Sequence, residues 1–414
     1  MTSAPKSLRL HIGIFGRRNT GKSSLLNAIT RQNVSIVSSM AGTTTDPVEK
    51  PMEMLPIGPV LFIDTAGVDD EGALGELRIE KTRKAFDRTD VGIIVVAEAG
   101  WGSFEEGILA ELQNRKTPAI VVFNKADLQS PDAAARQRLE AANVSCVVTI
   151  ASRGEGVLDL REALIQAAPD DIVNAPAVLG DLVDPGDLVI LVVPIDMEAP
   201  KGRLIMPQVQ AIRDLLDHDA MCMVVKEREL RRALEMLHRP PAMVVTDSQA
   251  FLKVAADTPR DVRMTSFSIL FSRAKGDLAE FVRGAMSIDR LKPGSRILVA
   301  EACTHHPIGD DIGRVKIPRW LTQYVGGELS FTHVQGQDFP SDLASYDLVV
   351  HCGSCTLNRR SMLSRILHCR KAGVPITNYG MTIAYTLGVF DRALAPFPAA
   401  REAYDEERKT RDLA

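Results

Sequence analysis

Short apolar runs recur along this chain, and polar turn residues bound them. In the first part of the chain such runs are Leu8 to Phe15, Val60 to Ile63 and Ala119 to Phe123. Runs of this length are typical of strands that are buried in a sheet. Each run is followed directly by a polar segment, so a loop is predicted where each of these strands ends.

The second part of the chain repeats this pattern after a break. Prolines at positions 169, 176 and 185 interrupt the chain and predict a linker past Ala168. The strands predicted beyond it are Asp187 to Val193, Met221 to Lys226, Ala242 to Thr246, Val262 to Thr265, Arg296 to Ala300, Asp347 to Val350 and Val374 to Thr377. The predicted helices are Pro207 to Leu216, Glu227 to Leu237, Ser248 to Ala256 and one that starts near Gly380. Strands and helices that alternate in this way predict α/β domains with largely parallel sheets.

Composition narrows the class of protein. A chain of 414 residues, 45% hydrophobic and 25% charged, is expected to form two or three globular domains. The longest apolar run, Leu188 to Pro194, is far shorter than the roughly 20 residues that cross a bilayer. No signal peptide is visible, so a cytoplasmic protein with no membrane contact is predicted. A net charge of −4 and 5% aromatic residues give no indication of nucleic-acid binding.

The segment after the first strand carries the strongest chemical signal. Gly16-Arg17-Arg18-Asn19-Thr20-Gly21-Lys22-Ser23 fits the phosphate-binding loop pattern. Its glycines let successive backbone N–H groups point at a polyphosphate, and the following helix adds its positive end. Lys22 is expected to reach the β- and γ-phosphates, and Ser23 a Mg²⁺ ion. The nucleotide-binding residues predicted here are Gly16, Asn19, Thr20, Gly21, Lys22, Ser23 and Ser24.

Two further segments supply the γ-phosphate side of the site. Asp64-Thr65-Ala66-Gly67 ends the second apolar run, so Asp64 can hold Mg²⁺ through water while the Gly67 N–H meets the γ-phosphate. The polar segment Gly42 to Pro47 lies where a switch loop belongs, and Thr44 is the hydroxyl expected to cap Mg²⁺. The predicted catalytic residues are Lys22, Thr44, Asp64 and Gly67, and the predicted Mg²⁺ ligands are Ser23, Thr44 and Asp64.

The third apolar run ends in a segment that selects the base. In Asn124-Lys125-Ala126-Asp127, the carboxylate of Asp127 can accept two hydrogen bonds from guanine, a pattern that adenine does not offer. The loop at Ile150 to Gly156 lacks the usual serine at its start, but the backbone N–H of Ala151 remains. The predicted base-binding residues are therefore Asn124, Lys125, Asp127 and Ala151, and the predicted cofactor is GTP or GDP.

Residues 8 to about 165 resemble the translation-factor-like GTPases. Within them, the Gly-Thr-Thr pattern resembles the branch of tRNA-modification and ribosome-assembly GTPases, the K⁺-activated TrmE-Era type. In that branch an asparagine at the position of Asn19 accompanies a bound K⁺, so the resemblance implies hydrolysis that K⁺ stimulates. Val68 stands where Ras-like enzymes have the glutamine that positions water, so slow intrinsic hydrolysis is expected.

Three of the six cysteines fall in one part of the chain. Cys303 follows the predicted strand Arg296 to Ala300, while Cys352 and Cys355 follow Asp347 to Val350. If these strands are parallel neighbours, their carboxyl ends meet at the same edge of the sheet. Such spacing in a cytosolic chain favours a metal site over a disulfide. Zinc and a 4Fe–4S cluster both fit the spacing, and unligated buried thiols are a third alternative.

The fourth ligand of such a site is open. The candidates are His305, His351, Asp310 and Asp311. Oxygen or imidazole ligation is more labile than thiolate ligation. The two aspartates are interpreted equally well as helix caps. The remaining cysteines, which lie in predicted strands or helices and are interpreted as core residues, are Cys146, Cys222 and Cys369.

The whole chain resembles the HydF family, the maturation GTPases of FeFe-hydrogenases. The resemblance rests on the GTPase segments, on Cys303-x-His305, on His351-Cys352-x-x-Cys355 and on the run Asp311 to Arg319. It implies a 4Fe–4S cluster on the three cysteines, a homodimer, and a scaffold that carries a di-iron precursor. The implied partners are the radical maturases HydE and HydG and the apo-hydrogenase HydA. We further expect the nucleotide state to control these associations, because hydrolysis chiefly reorders switch loops.

The predicted fold is a P-loop GTPase domain followed by two smaller α/β domains with largely parallel sheets. Its parts are a GTP-binding domain at 1–168, a linker at 169–176, an α/β dimerisation domain at 177–268 and a cluster-binding domain at 269–414. The middle domain carries no catalytic motif, and an exposed sheet edge favours a symmetric dimer.

Two other functions remain open from the residues alone. The first is an RNA-modification or ribosome-assembly GTPase in which the cysteines form a structural zinc module. It requires a basic, aromatic-rich surface, which this composition does not indicate. The second is an assembly scaffold whose nucleotide is purely structural.

Overall fold

The computed structural model divides the chain into two compact units, Met1–Ala175 and Pro176–Ala414. The residues it describes are 5–30, 48–55, 57–65, 82–98, 100–169, 177–194, 204–302, 311–336, 338–340 and 342–412. The predicted site residues that lie outside these ranges are Thr44, Gly67, Cys303, His305 and Asp310. No helix within the described ranges has both the length and the apolar character needed to cross a membrane.

A six-stranded sheet forms the centre of the first unit. Its strands are β1 (Leu10–Phe15), β2 (Val48–Met54), β3 (Gly58–Asp64), β4 (Val91–Val96), β5 (Ala119–Phe123) and β6 (Ser145–Val148). They lie in the order β2-β3-β1-β4-β5-β6, and all neighbours are parallel except β2 and β3. Its helices are α1 (Lys22–Thr30), α2 (Ser103–Asn114), α3 (Ala133–Ala141) and α4 (Val157–Ala167). Strands β1 and β4 are buried along their whole length, which explains why they are continuous apolar runs.

The second unit contains two four-stranded sheets in which all neighbouring strands are parallel. The first sheet has the order β10-β9-β7-β8, and the second has the order β12-β11-β13-β14. Their strands are β7 (Leu188–Val192), β8 (Met221–Val225), β9 (Met243–Thr246), β10 (Arg263–Ser266), β11 (Arg296–Glu301), β12 (Ser330–Gln335), β13 (Leu348–His351) and β14 (Ile376–Asn378).

Helices connect these strands. They are α5 (Met206–Asp217), α6 (Leu230–Glu235), α7 (Phe251–Asp257), α8 (Phe267–Lys275), α9 (Leu278–Met286), α10 (Ile317–Val325), α11 (Arg359–Ala372), α12 (Tyr379–Thr386), α13 (Phe390–Leu394) and α14 (Pro398–Asp412). A single π-helical turn, Ile312–Lys316, leads into α10. The start of α8 is capped by Ser266, whose side chain accepts a hydrogen bond from the Ile269 N–H.

One hydrophobic core runs through the second unit. Buried side chains of β7 and β9 in one sheet and of β11 and β13 in the other belong to the same cluster. Helix α8 contributes Ile269 and Leu270 to it, and α9 contributes Phe281 and Val282. The two sheets of this unit are therefore stabilised by the same buried apolar surface.

The predicted elements of the second unit are confirmed within one to three residues, and the largely parallel sheets are confirmed. Two helices differ from the prediction. The helix predicted at Glu227 to Leu237 is shorter, and the one predicted at Ser248 to Ala256 begins as the 3-10 turn Ser248–Ala250. Cys222 lies in the edge strand β8 and packs against the core, but it is only half-buried, so the prediction that it is buried is wrong.

Candidate functional site

The phosphate-binding loop joins β1 to α1. Gly16 and Gly21 both have positive φ, 145° and 88°. A Cβ at Gly16 would lie 2.5 Å from the Val95 carbonyl oxygen, and one at Gly21 would lie 2.3 Å from Asn124 Nδ2. Asn19 is a non-glycine residue in the left-handed region, with φ 63°. The loop therefore depends on glycine at both positions, as the motif predicts.

Lys22 lies over this loop. Its ammonium donates to the carbonyl oxygens of Gly16 at 2.9 Å and of Arg17 at 2.6 Å. The side chain is buried although it is charged, so these hydrogen bonds offset part of the cost of its desolvation. Thr20, which is also buried, donates through Oγ1 to the Arg17 carbonyl. Ser24 on α1 is exposed.

Two of the three predicted Mg²⁺ ligands are in contact. Ser23 Oγ donates to Asp64 Oδ2 at 2.8 Å. Burial raises the pKa of Asp64, while the Ser23 hydrogen bond and the charges of Lys22 and Lys50 act against that rise. The other oxygen, Asp64 Oδ1, is buried and has no hydrogen-bond partner among the described residues. A buried carboxylate oxygen beside a serine hydroxyl fits a hard cation or its bound water.

Asn124 joins the phosphate loop to the base-binding loop. Its Nδ2 donates to the Thr20 carbonyl at 2.9 Å, and its Oδ1 accepts from Thr149 Oγ1 at 3.0 Å and from the Ala151 N–H at 3.1 Å. Asp127 remains partly exposed, with the Arg153 guanidinium 3.8 Å away. Lys125 has φ 59° and pairs with Glu98. The structure therefore brings the predicted phosphate and base residues to one end of the sheet.

The phosphate loop has a second support that no sequence motif indicated. Arg17 forms two hydrogen bonds with the carboxylate of Glu105 in α2, at 2.8 and 3.2 Å. Glu105 is buried and also accepts a hydrogen bond from the Gly102 N–H. The Arg17 guanidinium lies 5.0 Å from the ring centre of Phe104. A bidentate pair of this kind fixes the loop against α2.

The cysteine region lies at the carboxyl edge of the second sheet of the second unit. Strands β11 and β13 are parallel neighbours, with Ala300 opposite His351. The Ala302 N–H donates to Cys352 Sγ at 3.0 Å. Ala302, the residue before Cys303 in the sequence, therefore lies beside Cys352. Cys355 follows on the same loop, and both Cys352 and Cys355 are half-buried.

A buried cation supports this loop. Lys275, the last residue of α8, donates to the carbonyl oxygens of Ser354, Cys355 and Leu357 at 3.1, 3.1 and 2.9 Å. Burial lowers the pKa of Lys275 to about 8, and Cys355 and Cys352 act in the opposite direction. Burial raises the pKa of Cys355, and Lys275 partly opposes that rise.

His351 is fully engaged by its neighbours. Its Nδ1 lies 2.9 Å from the Cys352 carbonyl, which can only accept, so Nδ1 carries the proton. Its Nε2 accepts from the Arg365 guanidinium at 2.7 Å. Burial, and then Arg365, lower the pKa of His351 to about 3. Both ring nitrogens are occupied, so a role as fourth metal ligand would require the Arg365 hydrogen bond to break.

Asp311 acts as a helix cap. Its buried carboxylate accepts from the Arg314 N–H at 2.7 Å at the start of the π-helical turn. Beside it, Tyr379 Oη donates to the buried carboxylate of Glu301 at 3.2 Å. A Cβ at Gly313 would lie 2.1 Å from Tyr379 Oη, so this turn packs directly on the Tyr379 and Glu301 pair.

No group of three or more His, Cys, Asp and Glu side chains that could hold a metal occurs within the described part of the chain. Cys303, His305 and Asp310 lie outside it, so the three-cysteine site stays a prediction. The observed donors fit a thiolate-bound cluster, because an N–H···S hydrogen bond and a nearby ammonium both stabilise thiolate charge.

Cys369 and Cys146 lie outside this region. Cys369 is buried in α11, where burial raises the pKa of its thiol to about 12. Cys146 in β6 is half-buried rather than a core residue, and burial raises the pKa of its thiol to about 11. Neither thiol is therefore primed to ionise at neutral pH.

Three family models match successive parts of the chain. Residues 11–125 match the model described as 50S ribosome-binding GTPase. Residues 178–276 match the Hydrogen maturase F dimerization domain, and residues 279–396 match the Hydrogen maturase F tetramerization domain. The two hydrogen maturase models together cover more than half of the chain.

Curated relatives match part of the chain. A tRNA modification GTPase MnmE of Synechococcus sp. (strain JA-3-3Ab) is 38% identical over 157 residues, which is 37% of this chain and 33% of that protein. GTPase Der of Wolinella succinogenes is 31% identical over 188 residues, 41% of this chain and 39% of that protein. The chain thus spans about a third of the length of the relatives it matches.

Solved structures of GTPases also match. The G domain of the T. maritima FeoB iron transporter has a TM-score of 0.31 and 20% identity, and the match covers 39% of this chain and 99% of that one. A point variant of Aquifex aeolicus Era bound to GDP.AlF4- has a TM-score of 0.34 and 20% identity, covering 60% of this chain and 99% of that one.

Proposed function

Because the chain belongs to the hydrogen maturase F family, we propose that it is a GTP-hydrolysing iron–sulfur carrier used in the assembly of an FeFe-hydrogenase. The observation that carries this proposal is the position of the cysteine loop. Cys352 follows the last residue of β13 and lies beside the end of β11. In the sequence, Cys303 follows Ala302 just after β11. Neighbouring strands that end at one edge are a suitable frame for a shared metal centre.

In the proposed nucleotide site, one set of residues binds the phosphates and Mg²⁺, and another set binds the guanine base. Lys22, which now bonds the loop carbonyls, would bind oxygens of the β- and γ-phosphates. Ser23 and Asp64 would hold Mg²⁺, which neutralises phosphate charge when bound. Asp127 accepts the guanine hydrogens, while Asn124 keeps the base loop aligned with the phosphate loop. Thr44 and Gly67 complete the γ-phosphate side.

We further propose that hydrolysis is slow and that K⁺ stimulates it. The absence of glutamine at Val68 supports the first part, and the resemblance at Asn19 to K⁺-activated GTPases supports the second. The test compares steady-state rates in K⁺ and Na⁺ buffers, with Asn19→Ala as the variant that should lose the difference.

The cluster would be held by Cys303, Cys352 and Cys355. A 4Fe–4S cluster on three thiolates leaves one iron for a weaker or exchangeable ligand. His305 and Asp310 remain candidates for that position. The hydrogen bonds of His351 and the capping role of Asp311 weigh against the other two candidates.

Membership of the hydrogen maturase F family supports the proposed carrier role. The protein takes a di-iron precursor that HydE and HydG help to build, and passes it to the apo-hydrogenase HydA in the cytoplasm. The nucleotide state controls these associations through the switch loops. Equal partner affinities with GDP and with a nonhydrolysable GTP analogue would contradict this part of the proposal.

Oligomerisation uses the edge of the first sheet of the second unit. Helix α13 packs against β10 at one edge, whereas β8 at the other edge pairs with no further strand among the described residues. Met221 and Val224 on β8 are exposed apolar residues. An open edge of this kind favours pairing with a second copy.

Anaerobic reconstitution with iron and sulfide tests the proposed function. The protein should turn brown and give the spectra of a reducible cluster. Serine at each of Cys303, Cys352 and Cys355 should remove the chromophore and leave GTP hydrolysis intact, whereas serine at Cys146 should change neither. Lys22→Ala should abolish hydrolysis and spare the cluster. Tight zinc binding without a chromophore would instead favour an RNA-modification or ribosome-assembly GTPase with a structural zinc module.

A further inference from the structure

Helix α8 presents a polar stripe to the cysteine-bearing part of the chain. Ser268, Ser272 and Lys275 are spaced by four and three residues, so they lie on one face of the helix. The side-chain amide of Asn378, the N-cap of α12, donates to the Ser268 carbonyl and to Ser272 Oγ. The Gly380 N–H donates to Ser268 Oγ at 3.3 Å. The stripe therefore fixes α8 to the start of α12.

Lys275 continues this stripe onto the cysteine loop. Its three hydrogen bonds reach carbonyls that lie 79 to 82 residues further along the chain. Between Cys352 and Cys355, Ser354 has φ 56°, a conformation that few non-glycine residues adopt. Three hydrogen bonds from one ammonium to this short segment fix the conformation of the turn. They thereby fix the backbone that carries the sulfur atoms of Cys352 and Cys355.

The burial of the charged Lys275 side chain also has to be explained. The side chain is only 6% exposed, and its ammonium lies 5.5 Å from the centre of the Phe271 ring. Its three bonded partners are neutral carbonyls. A buried cation is costly unless negative charge lies close to it. Cys355, whose carbonyl oxygen accepts a hydrogen bond from Lys275 at 3.1 Å, supplies such charge when its side chain binds a metal as a thiolate.

We propose that Lys275 is a positioning residue of the cysteine site: its ammonium fixes the turn at residues 354–357 and supplies the positive charge that balances the thiolates of Cys352 and Cys355. This inference rests on the proposed cluster-binding function. A fixed positive charge stabilises the more negative, reduced form of a thiolate-bound cluster. Lys275 would therefore fix the loop that holds the cluster and make the bound cluster easier to reduce.

Three substitutions separate the two roles. Lys275→Met removes the charge and all three hydrogen bonds, Lys275→Gln keeps donors but removes the charge, and Lys275→Arg keeps the charge. Lys292→Met changes an exposed lysine of the same unit and is the control. Reconstituted proteins are compared by the reduction potential of the cluster and by the rate at which a chelator removes iron.

We expect Lys275→Met and Lys275→Gln to shift the reduction potential to more negative values, and Lys275→Arg and Lys292→Met to keep the wild-type potential. Lys275→Met should also lose iron to the chelator at least about tenfold faster, the size expected for lost hydrogen bonds to a charged donor. Wild-type potential in both Lys275→Met and Lys275→Gln would overturn the electrostatic role.

Hydrogen exchange on the cluster-free protein tests the positioning role without iron. Lys275→Met should increase exchange of the amides in residues 353–358 by about tenfold or more, while exchange in β1 stays unchanged. If the wild-type protein binds no cluster, the proposed function fails, and this exchange result still decides whether Lys275 fixes the turn. Unchanged exchange in Lys275→Met would overturn that role.

Discussion

Two buried histidines show how burial fixes the charge of a side chain. His11 in β1 has its pKa lowered to about 4, chiefly by burial and further by the charge of Arg88, while Glu49 and the Lys6 carbonyl act in the opposite direction. His351 has its pKa lowered to about 3, chiefly by burial and then by Arg365. Both imidazoles are therefore neutral at physiological pH.

His11 predicts an acid-sensitive first unit. Its ordinary pKa is 6.5 and its folded value is about 4, so between these pH values the unfolded chain binds a proton that the folded protein excludes. Stability is thus fully present above pH 6.5 and falls as the pH drops towards 4. Between pH 7 and pH 5 this one group should lower the free energy of unfolding by about 2 kcal/mol.

Urea unfolding at both pH values checks this. Trp101 reports the first unit when Trp320, the other tryptophan, is replaced by phenylalanine. In that background, His11→Gln should lose most of the difference between pH 7 and pH 5. An identical pH dependence with and without His11 would show that other groups cause it.

At this scale the sequence predicts some contacts and not others. Ser23 and Asp64 could be placed together because each belongs to a motif that follows a buried strand. Lys275 could not, because a lysine at the end of an amphipathic helix has the same pattern whether it is exposed or buried. Its partners are about 80 residues away and are backbone carbonyls, which leave no signature in the sequence.

Among the elements, α9 lies unusually close to a strand. At Gly284 a Cβ would be 1.9 Å from the Ile376 carbonyl oxygen in β14. A backbone atom cannot move aside without shifting the strand, so glycine sets the distance between helix and sheet here. The same strand leads into Asn378, which caps α12 beside the cysteine loop.

Gly284→Ala should therefore destabilise the second unit. Overpacking against the backbone should lower the free energy of unfolding by at least about 2 kcal/mol. This loss is larger than the stabilisation that the higher helix propensity of alanine provides. Gly107 in α2 is a matched control, because an added Cβ there meets nothing within 4 Å. Gly107→Ala should stabilise the first unit by about 0.5–1 kcal/mol. Urea unfolding measures both effects, followed by Trp320 in a Trp101→Phe background for the first variant and by Trp101 in a Trp320→Phe background for the second.

The predictability of the strands depends on where they lie in the sheets. Central strands such as β1, β5 and β7 are mostly buried, so they appear in the sequence as apolar runs and are predicted. Strand β4 is equally apolar but is not among the predicted strands. The edge strands β2 and β12 are partly exposed and polar in sequence, and no apolar run marks them. Pro51 within β2 is tolerated because the strand lies at an edge.

For the whole molecule, the dimer is proposed to form through β8. The Met221 N–H donates to Asp187 and the Val225 carbonyl accepts from Val193, so these residues face β7. Since parallel strands alternate the direction of their polar groups, Cys222 and Val224 direct theirs to the open edge.

Val224→Pro should therefore weaken the dimer and spare the fold. Proline removes an N–H that points to the open edge, so the dissociation constant should rise by at least about tenfold. Met223→Pro removes an N–H that points to β7 and should instead destabilise the unit. Val224→Thr keeps the N–H and should remain a dimer. Sedimentation velocity across micromolar concentrations distinguishes these outcomes, and an intact Val224→Pro dimer would place the contact elsewhere.

The continuous core of the second unit limits how the chain can be recombined. Residues 178–276 and 279–396 match separate family models, yet their buried side chains belong to one apolar cluster. A fragment cut between them would expose that cluster to water on both sides. A transfer of the cysteine loop into another scaffold should therefore include residues 178–276 together with residues 279–396, because the buried side chains of the two segments cover one another.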